Sequence, residues 1–320
     1  MFSREFQKFA LAVAAVGVIS VSATAAVADD YPNKPIHLLI GSAPGGGTDT
    51  LGRVLAKTLE TQLGASVVVQ NQTGAAGGVM LTRLINDKPD GYTIGMVISQ
   101  AITGNPNLNP GAVKYTKDDF TYLASVSKGQ CALVTYTSDK YKSFPDMIAA
   151  AKKGDQPAYA SQSGMTRLVA DYIEKEAGIK FRIITVQGGG GVMQAILGKH
   201  VDFGFSGGPH VQHVAAGTMR VLASTEDNRL ASSPKVPTLK EMGFNISSCS
   251  FFMLAAPKGM TAERQATVAK ALKNAINSDA MKKLLINLKL PPFYNGPAEV
   301  KRLIDEDDAT VKRVVARVKG

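Results

Sequence analysis

One stretch limits what this chain can fold into more than any other: Ser42-Ala43-Pro44-Gly45-Gly46-Gly47-Thr48-Asp49. An apolar run, Ile36 to Ile40, leads into it, and an amphipathic run from Leu51 leads out. That is strand, glycine turn, helix. Glycines let the backbone take angles closed to other residues and let a ligand come close to the main chain. The free N–H groups at the helix start, with the helix dipole, favour an anion.

The rest of the chain repeats the pattern. Leu51, Val54, Leu55, Leu59 and Leu63 fall at helical spacing, and Gly64 stops that helix. Ser66 to Gln70 reads as a strand apolar on both faces. A second glycine turn, Gly74-Ala75-Ala76-Gly77-Gly78, opens a short helix, and Tyr92 to Ile98 is a third strand. Asn105 to Thr116, with Pro106 and Pro110, reads as a loop. Three more strand-to-helix turns follow: Ser161-Gln162-Ser163-Gly164-Met165-Thr166, Gln187 with Gly188 to Gly191, and Ser206-Gly207-Gly208-Pro209. Phe251 to Ala256 reads as a strand returning to the first unit, and the tail is helical. The expected architecture is α/β: a two-domain clamp, each domain a mixed, mostly parallel sheet flanked by helices. The first domain takes residues 29–130 plus 251–320, the second 131–250. Ligands in such sheets bind at the carboxyl ends of strands, so the five turns are expected to share one cleft.

The N-terminus carries a targeting pattern. Arg4 and Lys8 precede an uncharged apolar run, Phe9 to Ala23, and Ala26-Val27-Ala28 is a small-x-small cleavage site. Residues 1–28 are therefore expected to be a signal peptide, cleaved after Ala28, with the mature chain in the periplasm. The formal net charge is +10; the signal holds two basic residues and one acidic, leaving +9. Such a surplus steers anions, and export argues against nucleic acid. Export also permits a disulfide between Cys131 and Cys249. Spacing alone does not decide it, and because both lie in strand-like segments, two buried thiols are the expectation.

The chemistry motifs are incomplete. Thr48-Asp49 stands where a phosphate loop needs Lys-Ser/Thr, and no G-x-G-x-x-G occurs. Gly204-Phe205-Ser206-Gly207-Gly208 matches G-x-S-x-G, but an esterase needs an acid and then a His after the serine. Only His210 and His213 follow, in the next helix, with no acid between, so a secreted esterase using Ser206 is the least favoured reading. The two histidines are expected at the surface, without metal. Asp305, Glu306, Asp307 and Asp308 are expected to form a solvated face paired with Lys301, Arg302, Lys312 and Arg313. What remains is a cleft rich in N–H and hydroxyl donors, with no cofactor and no catalytic pair. That is how a protein holds a carboxylate.

The first glycine turn with Arg53 resembles the opening signature of the Bug (tripartite tricarboxylate transporter) family of periplasmic solute-binding proteins. Stretches 70–78, 89–93, 197–202, 216–223 and 236–243 agree. The resemblance implies a monomeric hinged clamp that closes on a small organic carboxylate and delivers it to a permease of one large and one small subunit. An alternative is a receptor subunit presenting its bound form to a sensor kinase. It implies ligand contacts from Ala43, Pro44, Gly45, Gly46, Gly47, Thr48 and Asp49, and from Ala76 and Gly77. The second domain would add Ser161, Gln162, Ser163, Thr166, Gln187 and Ser206. Many relatives carry Tyr at Gln187 and Asp at Ser206. The neutral pair here suits a ligand with acceptor groups at both ends, a di- or tricarboxylate.

Overall fold

The computed structural model describes residues 30–320; the expected signal peptide and its cleavage point lie outside them. Strand β1 (Ile36–Ile40) runs through the first turn into helix α1 (Gly47–Leu63). Leu51, Leu55 and Leu59, spaced at one helical turn, are fully buried. Each contributes about 2 kcal/mol of apolar burial. Next come β2 (Val67–Asn71), α2 (Gly78–Leu84), β3 (Thr93–Ile98), α3 (Gln100–Leu108) and β4 (Phe120–Lys128). Two readings change here. Strand β2 is a sheet edge, not a strand buried on both faces: among the described residues no strand pairs beyond it, and Val68 is 42% exposed. The first part of the expected loop, Asn105 to Leu108, continues α3, with Pro106 inside its closing turn.

The chain then crosses to a second sheet through β5 (Ala132–Tyr136), α4 (Phe144–Lys152), β6 (Ala158–Ser161), α5 (Gly164–Ala177), β7 (Arg182–Thr185), α6 (Gly188–Leu197), β8 (Phe203–Ser206), α7 (His210–Ala215) and β9 (Met219–Ser224). It returns through β10 (Phe251–Pro257), α8 (Ala262–Ile276), α9 (Asp279–Leu288), β11 (Pro292–Asn295) and α10 (Pro297–Lys319). The four glycines after Gln187 form the first turn of α6 rather than a loop before it.

The sheets are ordered β11-β4-β10-β3-β1-β2 and β7-β6-β8-β5-β9. Parallel ladders join β2, β1 and β3, and β7, β6 and β8. The crossing and returning strands pair antiparallel: β3–β10, β10–β4 and β4–β11 in one sheet, β8–β5 and β5–β9 in the other. Parallel ladders therefore lie where β-α-β units place glycine turns at strand ends. Helix α10 serves both sheets: Val300 and Ile304 enter the first core, Val311 and Val314 the second.

The two crossovers, residues 129–131 and 247–250, run side by side, and Cys131 and Cys249 form a disulfide across them. The expectation of two free thiols is thus corrected. Residues 118 apart in sequence meet because β4 and β10 are antiparallel neighbours, with Lys128 opposite Phe251, so the crossovers attached to them start side by side.

Candidate functional site

The two first-domain turns are fastened to each other. A Cβ on Gly41 would lie 3.2 Å from the Cα of Gly77. Gly77 itself, at φ 97°, would carry a Cβ 2.7 Å from Val97 Cγ2, so only glycine fits. Ala75 and Ala76 also hold left-handed angles, an uncommon strain for alanine. Helix α1 starts at Gly46 with no side-chain cap, which leaves its first-turn N–H groups open; α2 also lacks one, but Gly77 N and Val79 N already donate to Gly74 O and Gly78 N to Ala75 O. Ala43, Pro44, Gly45, Gly47 and Ala76 are exposed.

Asp49 is buried and serves the loop rather than the cleft. It accepts from Gly45 N at 2.8 Å, Arg53 Nε at 3.0 Å and Asn71 Nδ2 at 2.8 Å. Asn71 Nδ2 also donates to Ser42 O. Burial opposes the Asp49 charge, but the bonds from Arg53, Gly45 and Asn71 outweigh it and hold the carboxyl below its ordinary range. Thr48 is buried beside it.

In the second domain the serine turn is closed on itself. Ser163 Oγ accepts from Thr166 N at 3.2 Å, and Thr166 Oγ1 accepts from Ser163 N and Gln162 N at 3.0 and 3.1 Å. Ser161 and Thr166 are buried and bonded to each other. Gln162 stays half-buried; a Cβ on Gly189 would lie 3.5 Å from its Oε1 and 3.8 Å from Pro209 Cγ. The three second-domain turns are therefore neighbours. Gln187 is exposed at the uncapped start of α6. Helix α3 lies between the domains' turns. Asn105 Nδ2 holds Ala75 O at 2.7 Å, and Gly104 and Leu108 abut Met165 and Gly164 of α5.

Ser206 and His210 depart most from expectation. Both are fully buried, and Ser206 Oγ lies 2.9 Å from His210 Nδ1. His210 is thus no surface histidine: the four-residue offset swings it back under the strand end. Burial, with His213 nearby, pushes it down to about 4, so it is neutral at pH 7. Its Nε2 has no carboxylate partner, and neither side chain is open to solvent, so the pair lacks the geometry of a hydrolase triad.

Six buried side-chain polar atoms among the described residues lack a partner, and three lie at these turns: Ser42 Oγ, Gln72 Oε1 and His210 Nε2. Buried groups of this kind call for water or a ligand. Sequence reasoning put Ser42 in the first turn but named none of the three as a ligand contact; Ser42 and Gln72 flank the glycine runs, which was the available signal. The acidic run is also corrected. Asp305 and Glu306 pair with Lys301 and Arg302 as expected. Asp308 pairs with Lys312 at 2.8 Å, also as expected, while accepting from Asn107 Nδ2 at 2.7 Å; Asp307 instead turns inward and accepts from Thr103 Oγ1 at 2.6 Å on α3.

A family model described as "Tripartite tricarboxylate transporter family receptor" matches residues 51–319. A protein of Cupriavidus necator, "UPF0065 protein in gbd 5'region", is 30% identical over 97% of this chain and 94% of its own length. A TctC solute binding protein from Polaromonas, solved without ligand, superposes with a TM-score of 0.77 at 27% identity, covering 90% of this chain and 99% of that one. Two Rhodopseudomonas palustris proteins share the fold. MatC with bound malate has a TM-score of 0.76 at 20% identity, covering 89% of this chain and 100% of that one. A protein with adipate has 0.77 at 21%, covering 91% and 99%.

Proposed function

This chain belongs to the tripartite tricarboxylate transporter family of receptors, and from that premise we propose that it captures a small dicarboxylate or tricarboxylate between its two domains and delivers it to a permease of one large and one small membrane subunit. The family's proteins are periplasmic solute-binding receptors. Residues 29–130 with 251–320 form one jaw and 131–250 the other, closing by hinge bending as a monomer.

One observation carries the reading: the open starts of α1 and α6 and unpartnered buried polar groups collect at the glycine turns, whereas a nucleophile–base pair open to substrate is lacking among the described residues. The main chain of Ala43 to Thr48, with Ala76 and Gly77, receives one carboxylate; Gln162 and Gln187 meet the far end. Asp49, Ser161, Ser163, Thr166 and Ser206 shape these turns from behind. The relatives solved with malate and adipate motivate two-ended acids as first probes.

Thermal-shift measurement and calorimetry with malate, adipate, citrate and matched monocarboxylates test it. A binding acid at a hundred times its Kd stabilises by about 2.7 kcal/mol. Two-ended acids are expected to raise the melting temperature, and Gln187→Ala to weaken them more than monocarboxylates. No shift with any acid would sink the carboxylate assignment.

A further inference from the structure

We propose that the Cys131–Cys249 disulfide is a clasp that makes the two crossovers turn as one hinge, so that its oxidation state sets how freely the domains move. This rests on the two-domain closure proposed above. Two peptide crossovers would ordinarily be two independent pivots. Here three segments are sewn together beside the bridge. Gly129 N donates to Ser250 O at 3.0 Å, Thr225 N to Cys131 O at 3.0 Å, and Ser248 N to Thr225 O at 2.7 Å. The Glu226 carboxylate accepts from Cys131 N at 3.0 Å and from Lys128 Nζ at 2.7 Å, tying the end of β4 to the second sheet's segment.

Each of those bonds can be exchanged for a bond to water. The S–S bond cannot, so it alone keeps the crossovers together through a large rotation. Gly129 marks the pivot: a Cβ there would lie 2.9 Å from Cys131 Sγ and 3.3 Å from Cys249 Sγ, so the sulfurs occupy the space beside it. A cavity of about 410 Å³ borders the clasp, walled by Lys128, Phe293 and Asp307 from one side and Glu226, Lys240 and Cys249 from the other. It gives the crossovers room to shift and gives a small reductant a path to Cys249, which is half-buried where Cys131 is closed.

Opening the clasp needs a dithiol such as dithiothreitol. Its thiolate attacks Cys249 Sγ; the S–S electron pair leaves on Cys131 Sγ, which takes a proton from water. The second thiol of the reductant then displaces Cys249 and is itself oxidised to the cyclic disulfide.

The test compares oxidised protein, protein held in dithiothreitol, and Cys131→Ser/Cys249→Ser. Without ligand, amide exchange at Gly129 and Ser248 is expected to quicken at least tenfold in both unclasped forms, with β1 and β8 unchanged. With malate or adipate, the unclasped forms are expected to bind at least threefold more weakly and to compact less by small-angle scattering. Exchange that stays within twofold overturns the clasp, whether or not an acid binds. Faster exchange with no acid bound by oxidised protein overturns only the closure reading.

Discussion

Asp307 and His210 carry opposite electrostatic burdens. Burial raises Asp307 to about 6, with Asp308 and Asp227 adding to the rise and the Thr103 bond opposing it. A carboxyl whose folded pKa exceeds its unfolded 3.8 holds its proton more tightly when native, so its contribution to stability falls as pH rises from about 4 to 6. His210, depressed to about 4, does the reverse: the unfolded state takes up the extra proton below pH 6.5, so stability falls as pH drops towards 4. Asp307→Asn is therefore expected to gain about 1–2 kcal/mol at pH 7 and nothing at pH 4. His210→Asn is expected to flatten the acid side instead. Denaturant unfolding across pH 4–7 separates them; parallel curves for wild type and Asp307→Asn would refute the assignment. Asp49→Asn strips the charge from three donors at once and is expected to cost about 1–3 kcal/mol. Acid binding should weaken with it, because Gly45 N and the turn lose their anchor.

At the scale of single elements, the helix starts divide into open and closed. Those of α1 and α6 lack a side-chain cap, while α5 begins with the reciprocal Ser163–Thr166 pair. A hydroxyl already bonded to its own helix is a poor ligand donor. Ser163→Ala is accordingly expected to cost about 1 kcal/mol of stability while leaving malate or adipate affinity within twofold. A large loss of affinity at unchanged stability would return Ser163 to the binding surface. Helix α3 performs a different task. Asn105 holds Ala75, Thr103 and Asn107 hold the acidic run of α10, and Gly104 and Leu108 pack on α5.

For the whole molecule, the connections between the sheets matter more than either sheet alone. The disulfide closes a loop of 118 residues, and the chain-entropy model assigns such a loop about 5 kcal/mol, an upper figure that measured disulfides often fall short of. Cys131→Ser/Cys249→Ser is expected to lose about 2–4 kcal/mol in equilibrium unfolding. A loss below 0.5 kcal/mol (about the noise of such a comparison) would mean that the crossovers already hold together in the unfolded chain.

By itself the sequence determined the alternation of strands and helices, the glycine turns at strand ends, the return of β10 to the first sheet and the family signature. All of these are local: an apolar period, a Gly run or a capping serine is written in adjacent residues. The tertiary structure shows instead which polar groups already have partners within the fold. Asp49, Ser161, Thr166 and Ser206 look like donors or charges in the sequence, yet their partners close over them in the fold. Asn71, His210 and Asp307 acquire their roles from residues far along the chain or hidden beneath an element. Pairing of Cys131 with Cys249 is the plainest case. It depends on β4 and β10 lying side by side in the first sheet, and no local pattern encodes that pairing.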